Sequence, residues 1–148
     1  MEIFGRESEL KTLKNLYEKR GSQLIAIYGR RRVGKSYLVE YFGENVASIY
    51  FSFEGLERQN SQEQINNFIL RLKEQFQGPY LNEINFQDWD TVFKYLTEYV
   101  FINKNKIVIS FDEFQWMATG QSKLISLLKY YWDRHWLKQN IMLILCGS

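Results

Sequence analysis

The chain has 148 residues, 45% hydrophobic and 17% aromatic, with 19 basic against 17 acidic side chains and a formal net charge of +2. That length suits one domain with a real core, and the composition excludes a disordered chain. The mild charge argues against a dedicated nucleic-acid or anionic-membrane surface, and the single cysteine, Cys146, excludes an internal disulfide framework.

The charged start, Met1-Glu2-Ile3-Phe4-Gly5-Arg6-Glu7, does not read as a signal segment, and no apolar run reaches the roughly 20 residues of a membrane span. A cytoplasmic location is the expectation. After this lead-in, Leu10, Leu13, Leu16 and Tyr17 predict a helix over 7–19, stopped by Gly21. The apolar run 24–28 predicts a strand, and residues 36–42 a helix ending at Gly43. A second strand is expected at 48–53. A helix over 62–76 follows, with Ser61 and Gln64 at capping-box spacing and Ile65, Phe68, Ile69, Leu72 and Phe76 as its stripe. Gly78-Pro79 ends it, and 80–87 reads as loop. Trp89, Val92, Phe93, Leu96 and Val100 mark one helix over 88–102. The nearly unbroken apolar run 106–111 predicts a strand covered on both faces. A loop through Gly120 leads to a helix over 122–137 and a last strand at 141–145. Strands alternating with helices predict a parallel sheet with helices on both faces, a three-layer α/β/α domain spanning 1–148.

Two motifs carry the chemistry. Gly29-Arg30-Arg31-Arg32-Val33-Gly34-Lys35-Ser36 follows the first strand and opens the second helix, which is the G-x-x-x-x-G-K-[ST] phosphate-cradling pattern in its proper setting. Loop N–H groups and the positive end of the helix, from Ser36 and Tyr37 onward, face an anion. Lys35 adds a full charge, and the Ser36 hydroxyl is a candidate Mg²⁺ ligand. The bland alternative is a glycine-rich turn. The third strand delivers Asp112-Glu113 to its carboxyl end, where open α/β sheets bind ligands. Asp112 is placed as a Mg²⁺ ligand through water, and Glu113 as the group that polarises an attacking water. The bland alternative here is a solvated acidic turn. If the fourth strand lies between the first and third, Ser148 emerges beside the γ-phosphate.

With these pieces in place the chain resembles the AAA+ ATPases, and among them the archaeal-type ATPase family that also occurs in bacteria. Phe4-Gly5-Arg6-Glu7-Ser8-Glu9-Leu10 is similar to that family's N-terminal motif, residues 29–36 to its arginine-rich Walker A, and Phe111-Asp112-Glu113-Phe114-Gln115-Trp116 to its Walker B. Leu143-Ile144-Leu145-Cys146-Gly147-Ser148 is similar to its sensor-1 strand. The resemblance implies a P-loop NTPase with sheet order 5-1-4-3-2, ATP with Mg²⁺, and Phe4 and Arg6 near the adenine. It also implies that a fifth strand, an arginine finger and a helical lid with sensor 2 belong after Ser148. Further partners implied are a second copy of the chain and a C-terminal effector domain or protein partner.

Arg30, Arg31 and Arg32 read as outward-pointing, or as contacts to phosphate or a neighbouring subunit, and nucleic acid stays open. Asn103-Lys104-Asn105-Lys106 is a poor match to a guanine-reading motif, so ATP is preferred to GTP. His135 reads as exposed at a helix end, Cys146 as small and buried, and Trp116 and Met117 as packing. An ATPase is the leading reading. A nucleotide-gated switch or binding module acting on a protein or DNA is the second, and a small-molecule kinase is disfavoured because Glu113 follows Asp112 directly.

Overall fold

The computed structural model describes residues 7–29, 34–118 and 122–147. Phe4, Arg6, Arg30, Arg31, Arg32, Val33, Gly120 and Ser148 lie outside them. In chain order the elements are α1 (Glu7–Glu18), β1 (Gln23–Tyr28), α2 (Lys35–Asn45), β2 (Ile49–Glu54), α3 (Ser61–Gln75) and α4 (Trp89–Tyr95). They continue with β3 (Ile107–Asp112), α5 (Phe114–Ala118), α6 (Ser122–Arg134) and β4 (Ile141–Gly147). The four strands form one parallel sheet in the order β1-β4-β3-β2.

Period-two alternation splits each central strand between two cores. Ile107, Ile109 and Phe111 of β3, with Ile141, Leu143 and Leu145 of β4, face α3, α4 and α6. Val108, Met142, Ile144 and Cys146 face the other way, against Leu10 and Leu13 of α1 and Leu38, Val39 and Phe42 of α2. Covered on both faces, β3 and β4 must be apolar throughout. The aromatic share is absorbed mainly on the first face. There Phe53 stacks on Phe68 at 3.9 Å, and the Trp89 ring meets Phe68 edge-on at 5.6 Å.

Several local expectations are corrected. Gly43 does not stop α2, which runs on to Asn45. The glycine makes room for the Tyr50 ring, since a Cβ there would lie 2.5 Å from ring carbons. The cap of α3 is Asn60, not Ser61. Its side chain accepts from Glu63 N at 2.8 Å, and the Glu63 carboxylate accepts from Asn60 N at 3.2 Å. Gln64 is thereby released to turn inward.

The helix expected over 88–102 changes gauge after Tyr95 into a π-turn over Leu96–Val100, closed by Phe101 N donating to Leu96 O at 2.8 Å. The wider turn brings Leu96, Val100 and Phe101 all into the core. Residues 114–118, expected as loop, form α5 and bury Phe114 and Met117. Finally, α6 ends at Arg134, and a 3₁₀ turn, Trp136–Lys138, replaces its last expected turn. That break lets Trp136 enter the core, where its Nε1 donates to Thr97 Oγ1 at 2.8 Å. His135 is exposed, as expected.

Candidate functional site

The site is built where the carboxyl ends of the strands meet the start of α2. Gly29 N donates to Gly147 O at 3.3 Å, which ties the exit of β1 to the end of β4. Gly34 then has φ 83° and ψ 9°, a left-handed conformation that favours glycine, and caps α2 without offering a side chain to the first-turn amides. Those N–H groups, of Lys35, Ser36 and Tyr37, are the helix's orphan donors. Lys35 is only 4% exposed, and its Nζ donates to Gly29 O at 3.3 Å. The Gly29 carbonyl thus holds the ammonium near the start of α2, where it adds to the positive end of that helix.

The opposite wall comes from β2 and β3. Asp112 ends β3, and Glu113 follows with φ 51°. Non-glycine residues seldom adopt that value, and its cost is accepted here to turn the chain from strand into α5. Glu113 N donates to Asp112 Oδ1 at 2.9 Å, and Gln115 Nε2 donates to Glu113 Oε2 at 2.6 Å. The parallel register sets Glu54, the last residue of β2, beside Asp112. Burial first, then the charges of Asp112 and Glu113, raise the Glu54 carboxyl above its usual range. Gly55 N donates to Asp112 O at 2.9 Å, and a Cβ on Gly55 would come within 2.4 Å of Glu113 O, so no larger residue fits without displacement.

Between the walls lies a cavity of about 500 Å³, with residues 34–37 on one side and residues 54–57, Glu113 and Trp116 on the other. Asp112 lines an adjoining cavity of about 330 Å³, which shares Glu54 and Leu56 with the first and also includes Glu40, Ser52 and Arg71. Cys146 reports that the charged groups converge. Burial pushes its thiol up to about 12, Asp112, Glu113 and Glu40 push the same way, and Lys35 pulls it down. Of the residues expected from sequence, Gly34, Lys35, Ser36, Tyr37 and Glu113 thus share one cavity, Asp112 stands next door, and Gly29 holds Lys35 from below.

Sequence reasoning missed three contributors. Glu54 and Gly55 are identified only by the strand register. Gln64 accepts from Leu56 N at 2.9 Å and donates to Leu56 O at 2.6 Å and to Trp116 O at 3.3 Å, pinning two lining residues together. Trp116, expected as packing, is half-buried and lines the cavity, while its neighbour Met117 packs as expected. For Glu54 the only signal in sequence was a carboxylate ending a strand.

Among the described residues, no group of three or more His, Cys, Asp or Glu side chains could hold a metal alone. Mg²⁺ needs less, because it keeps several waters and takes one or two carboxylates with phosphate oxygens. The Ser36 hydroxyl at the start of α2 and the Glu54 and Asp112 carboxylates at the paired ends of β2 and β3 are oxygen donors of the kind such an ion takes. No described helix is long and apolar enough to cross a membrane.

The fold is similar to that of the Walker-type ATPase of Pyrococcus abyssi, with a TM-score of 0.63 and 24% identity over 99% of this chain and 45% of that one. An uncharacterized protein of Methanocaldococcus jannaschii is 30% identical over 144 residues, which is 97% of this chain and 29% of the relative. An uncharacterized ATP-binding protein of the same organism is 45% identical over 41 residues, covering 28% of this chain and 70% of that protein. The chain therefore spans less than a third of the first relative and under half of the solved structure. Residues 3–148 match, nearly end to end, the family of ATPase domains found predominantly in Archaea, and the chain belongs to that family.

Proposed function

We propose that this chain is an ATPase core of the AAA+ type that binds ATP with Mg²⁺ and hydrolyses its γ-phosphate. One observation carries the reading: Lys35, Ser36 and Glu113 line one cavity of about 500 Å³. The first-turn amides of α2 and Lys35 would take the β- and γ-phosphates. Ser36 and Asp112 would hold the metal, and Glu113 would orient and polarise the attacking water. Bound Mg²⁺ supplies neutralisation of charge on the transferring phosphoryl group. Arg30, Arg31, Arg32 and Val33 around the phosphates, Phe4 and Arg6 at the base, and Ser148 beside the γ-phosphate complete the proposal on the family resemblance. What hydrolysis drives, whether a second copy or an effector domain, belongs to the longer proteins of the family.

A second reading, a nucleotide-gated switch, is favoured by one contact. Gln115 holds Glu113 Oε2 at 2.6 Å, as a site that retains nucleotide with little turnover would hold its base at rest. Calorimetry with ATP and a phosphate-release assay separate the two. Saturable binding with steady-state release supports the enzyme. Binding without release supports the switch. An unaltered ATP affinity in Lys35→Ala would refute the phosphate-site assignment itself.

A further inference from the structure

Below the proposed metal site, a polar bridge crosses an otherwise apolar layer. Tyr50 of β2 donates its hydroxyl proton to Glu40 Oε1 of α2 at 2.9 Å, and its oxygen lies 3.0 Å from Ser110 Oγ of β3. With the tyrosine proton given to the carboxylate, Ser110 donates to the tyrosine oxygen. The surroundings are apolar, with Phe42 and Val108 fully buried nearby, and Ser110 itself is 2% exposed. Burial raises the Tyr50 hydroxyl far above its usual range, so it stays a proton donor throughout. Gly43 admits the ring, and any side chain at Gly43 would strike it. Hydrophobic packing alone would not ask for three polar groups here, and each would cost free energy if left unpaired.

The positions of the bridge explain it. Glu40 is four residues after Ser36 on α2, so the two lie on one helix face, one turn apart. Ser110 is two residues before Asp112 on β3, so those two share one face of the sheet. Glu40 and Asp112 line the same 330 Å³ cavity. The bridge thus links α2 to β3 one step below the pair that would hold Mg²⁺.

We infer that Glu40, Tyr50 and Ser110 are positioning residues that fix α2 against β3 so that the Ser36 hydroxyl and the Asp112 carboxylate are set at the spacing a divalent cation needs. This rests on the reading of Ser36 and Asp112 as the metal side of the site. Outer contacts that orient donors commonly alter metal affinity by tenfold or more when removed.

The test measures ATP binding by calorimetry in EDTA, then the Mg²⁺ concentration at half-effect when the metal is titrated back. Tyr50→Phe keeps the ring beside Gly43 and removes the hydroxyl that joins Glu40 to Ser110. We expect ATP affinity in EDTA to stay within about twofold and the Mg²⁺ half-effect concentration to rise about tenfold. Glu40→Ala, on the half-exposed face of α2, should behave alike, while Glu40→Gln, which keeps an acceptor, should restore the wild-type Mg²⁺ response. A purely structural role would instead weaken ATP binding with and without metal in parallel, and that outcome would overturn the inference. So would an unchanged Mg²⁺ response in both Tyr50→Phe and Glu40→Ala. Wild-type chain that binds no ATP either in EDTA or with Mg²⁺ added would overturn the site reading, and this inference with it.

Discussion

Gly55→Ala is the most direct test of how the two carboxylate-bearing strands meet. The added methyl would sit 2.4 Å from the Glu113 carbonyl oxygen and 3.0 Å from both Met117 N and Met117 Cγ. Two of those three atoms are backbone and cannot rotate away. Ordinary carbon–oxygen contact needs roughly 3.2 Å or more, so β2 and the turn into α5 must separate by about 0.8 Å. The movement falls on Glu113, already strained at φ 51°, and on the 2.9 Å bond from Gly55 N to Asp112 O. Overpacking of this kind costs about 1–3 kcal/mol. For a chain of this size that lowers the melting temperature by roughly 3–10 °C. Misplacing a catalytic group by close to 1 Å can cost about 100-fold in rate. The expected pattern is therefore a modest loss of stability with a much larger loss of ATP turnover. Thermal melting by circular dichroism and phosphate release together decide it. A variant that melts within 1 °C of wild type and turns over normally would show that the close approach of Gly55 to Glu113 is not a constraint.

Lys35→Ala removes a nearly buried charge at the start of α2, and the loss should be about 3 kcal/mol, or roughly 100-fold weaker ATP binding by calorimetry. Glu113→Gln keeps size and hydrogen bonding but not basicity, so ATP binding should persist while single-turnover hydrolysis falls about 10²–10⁴-fold. Asp88 caps α4, accepting from Thr91 N at 2.8 Å and from the Thr91 hydroxyl at 2.7 Å, and these bonds hold its carboxyl below the usual range. A lowered folded-state value gives stability that is present above the unfolded value and is lost as pH falls through the folded one. Asp88→Ala should therefore cost about 1 kcal/mol in urea unfolding at pH 7, with the difference from wild type closing below about pH 4.

The sheet was readable from sequence because its central strands are apolar on both faces and end in chemistry. The apolar run 106–111 ending in Asp112-Glu113 marked a covered strand, and the glycine pattern of residues 29–36 marked the turn from β1 into α2. The errors have two physical origins. Gly43 looked like a helix stop because its need, space for the Tyr50 ring, comes from a residue on another element. Ser61 looked like a cap because Asn60 offers the same chemistry one residue earlier, and only the backbone angles choose between them. The break before Trp136 answers to Thr97, far away in sequence. Local periodicity carries no information about such partners: the corrections at Gly43 and Trp136 were decided by tertiary contact, and the one at Asn60 by local backbone angles.

The same reasoning explains why Glu54 escaped notice and why it matters. A lone glutamate ending a strand is unremarkable in sequence, yet the parallel register places it beside Asp112 and within reach of Glu113. Three carboxylates gather at the ends of two strands, and partial burial first, then the charges of Asp112 and Glu113, raise the Glu54 carboxyl. Lys35 lies close enough to oppose these charges at Cys146, but its ammonium is tied to Gly29 O at the exit of β1. Under the proposed function the arrangement has a use. A divalent cation with phosphate oxygens relieves the repulsion and binds more tightly for it, while the bridge from Glu40 through Tyr50 to Ser110 keeps α2 from yielding as the charges come together. On that reading the α2 wall would be held by the bridge, while Gln64 ties Leu56 to Trp116 on the other wall. Ligand binding would then act on a cavity whose walls are already set, and the electrostatic work falls on the ion and the phosphates instead of on rearrangement of the sheet.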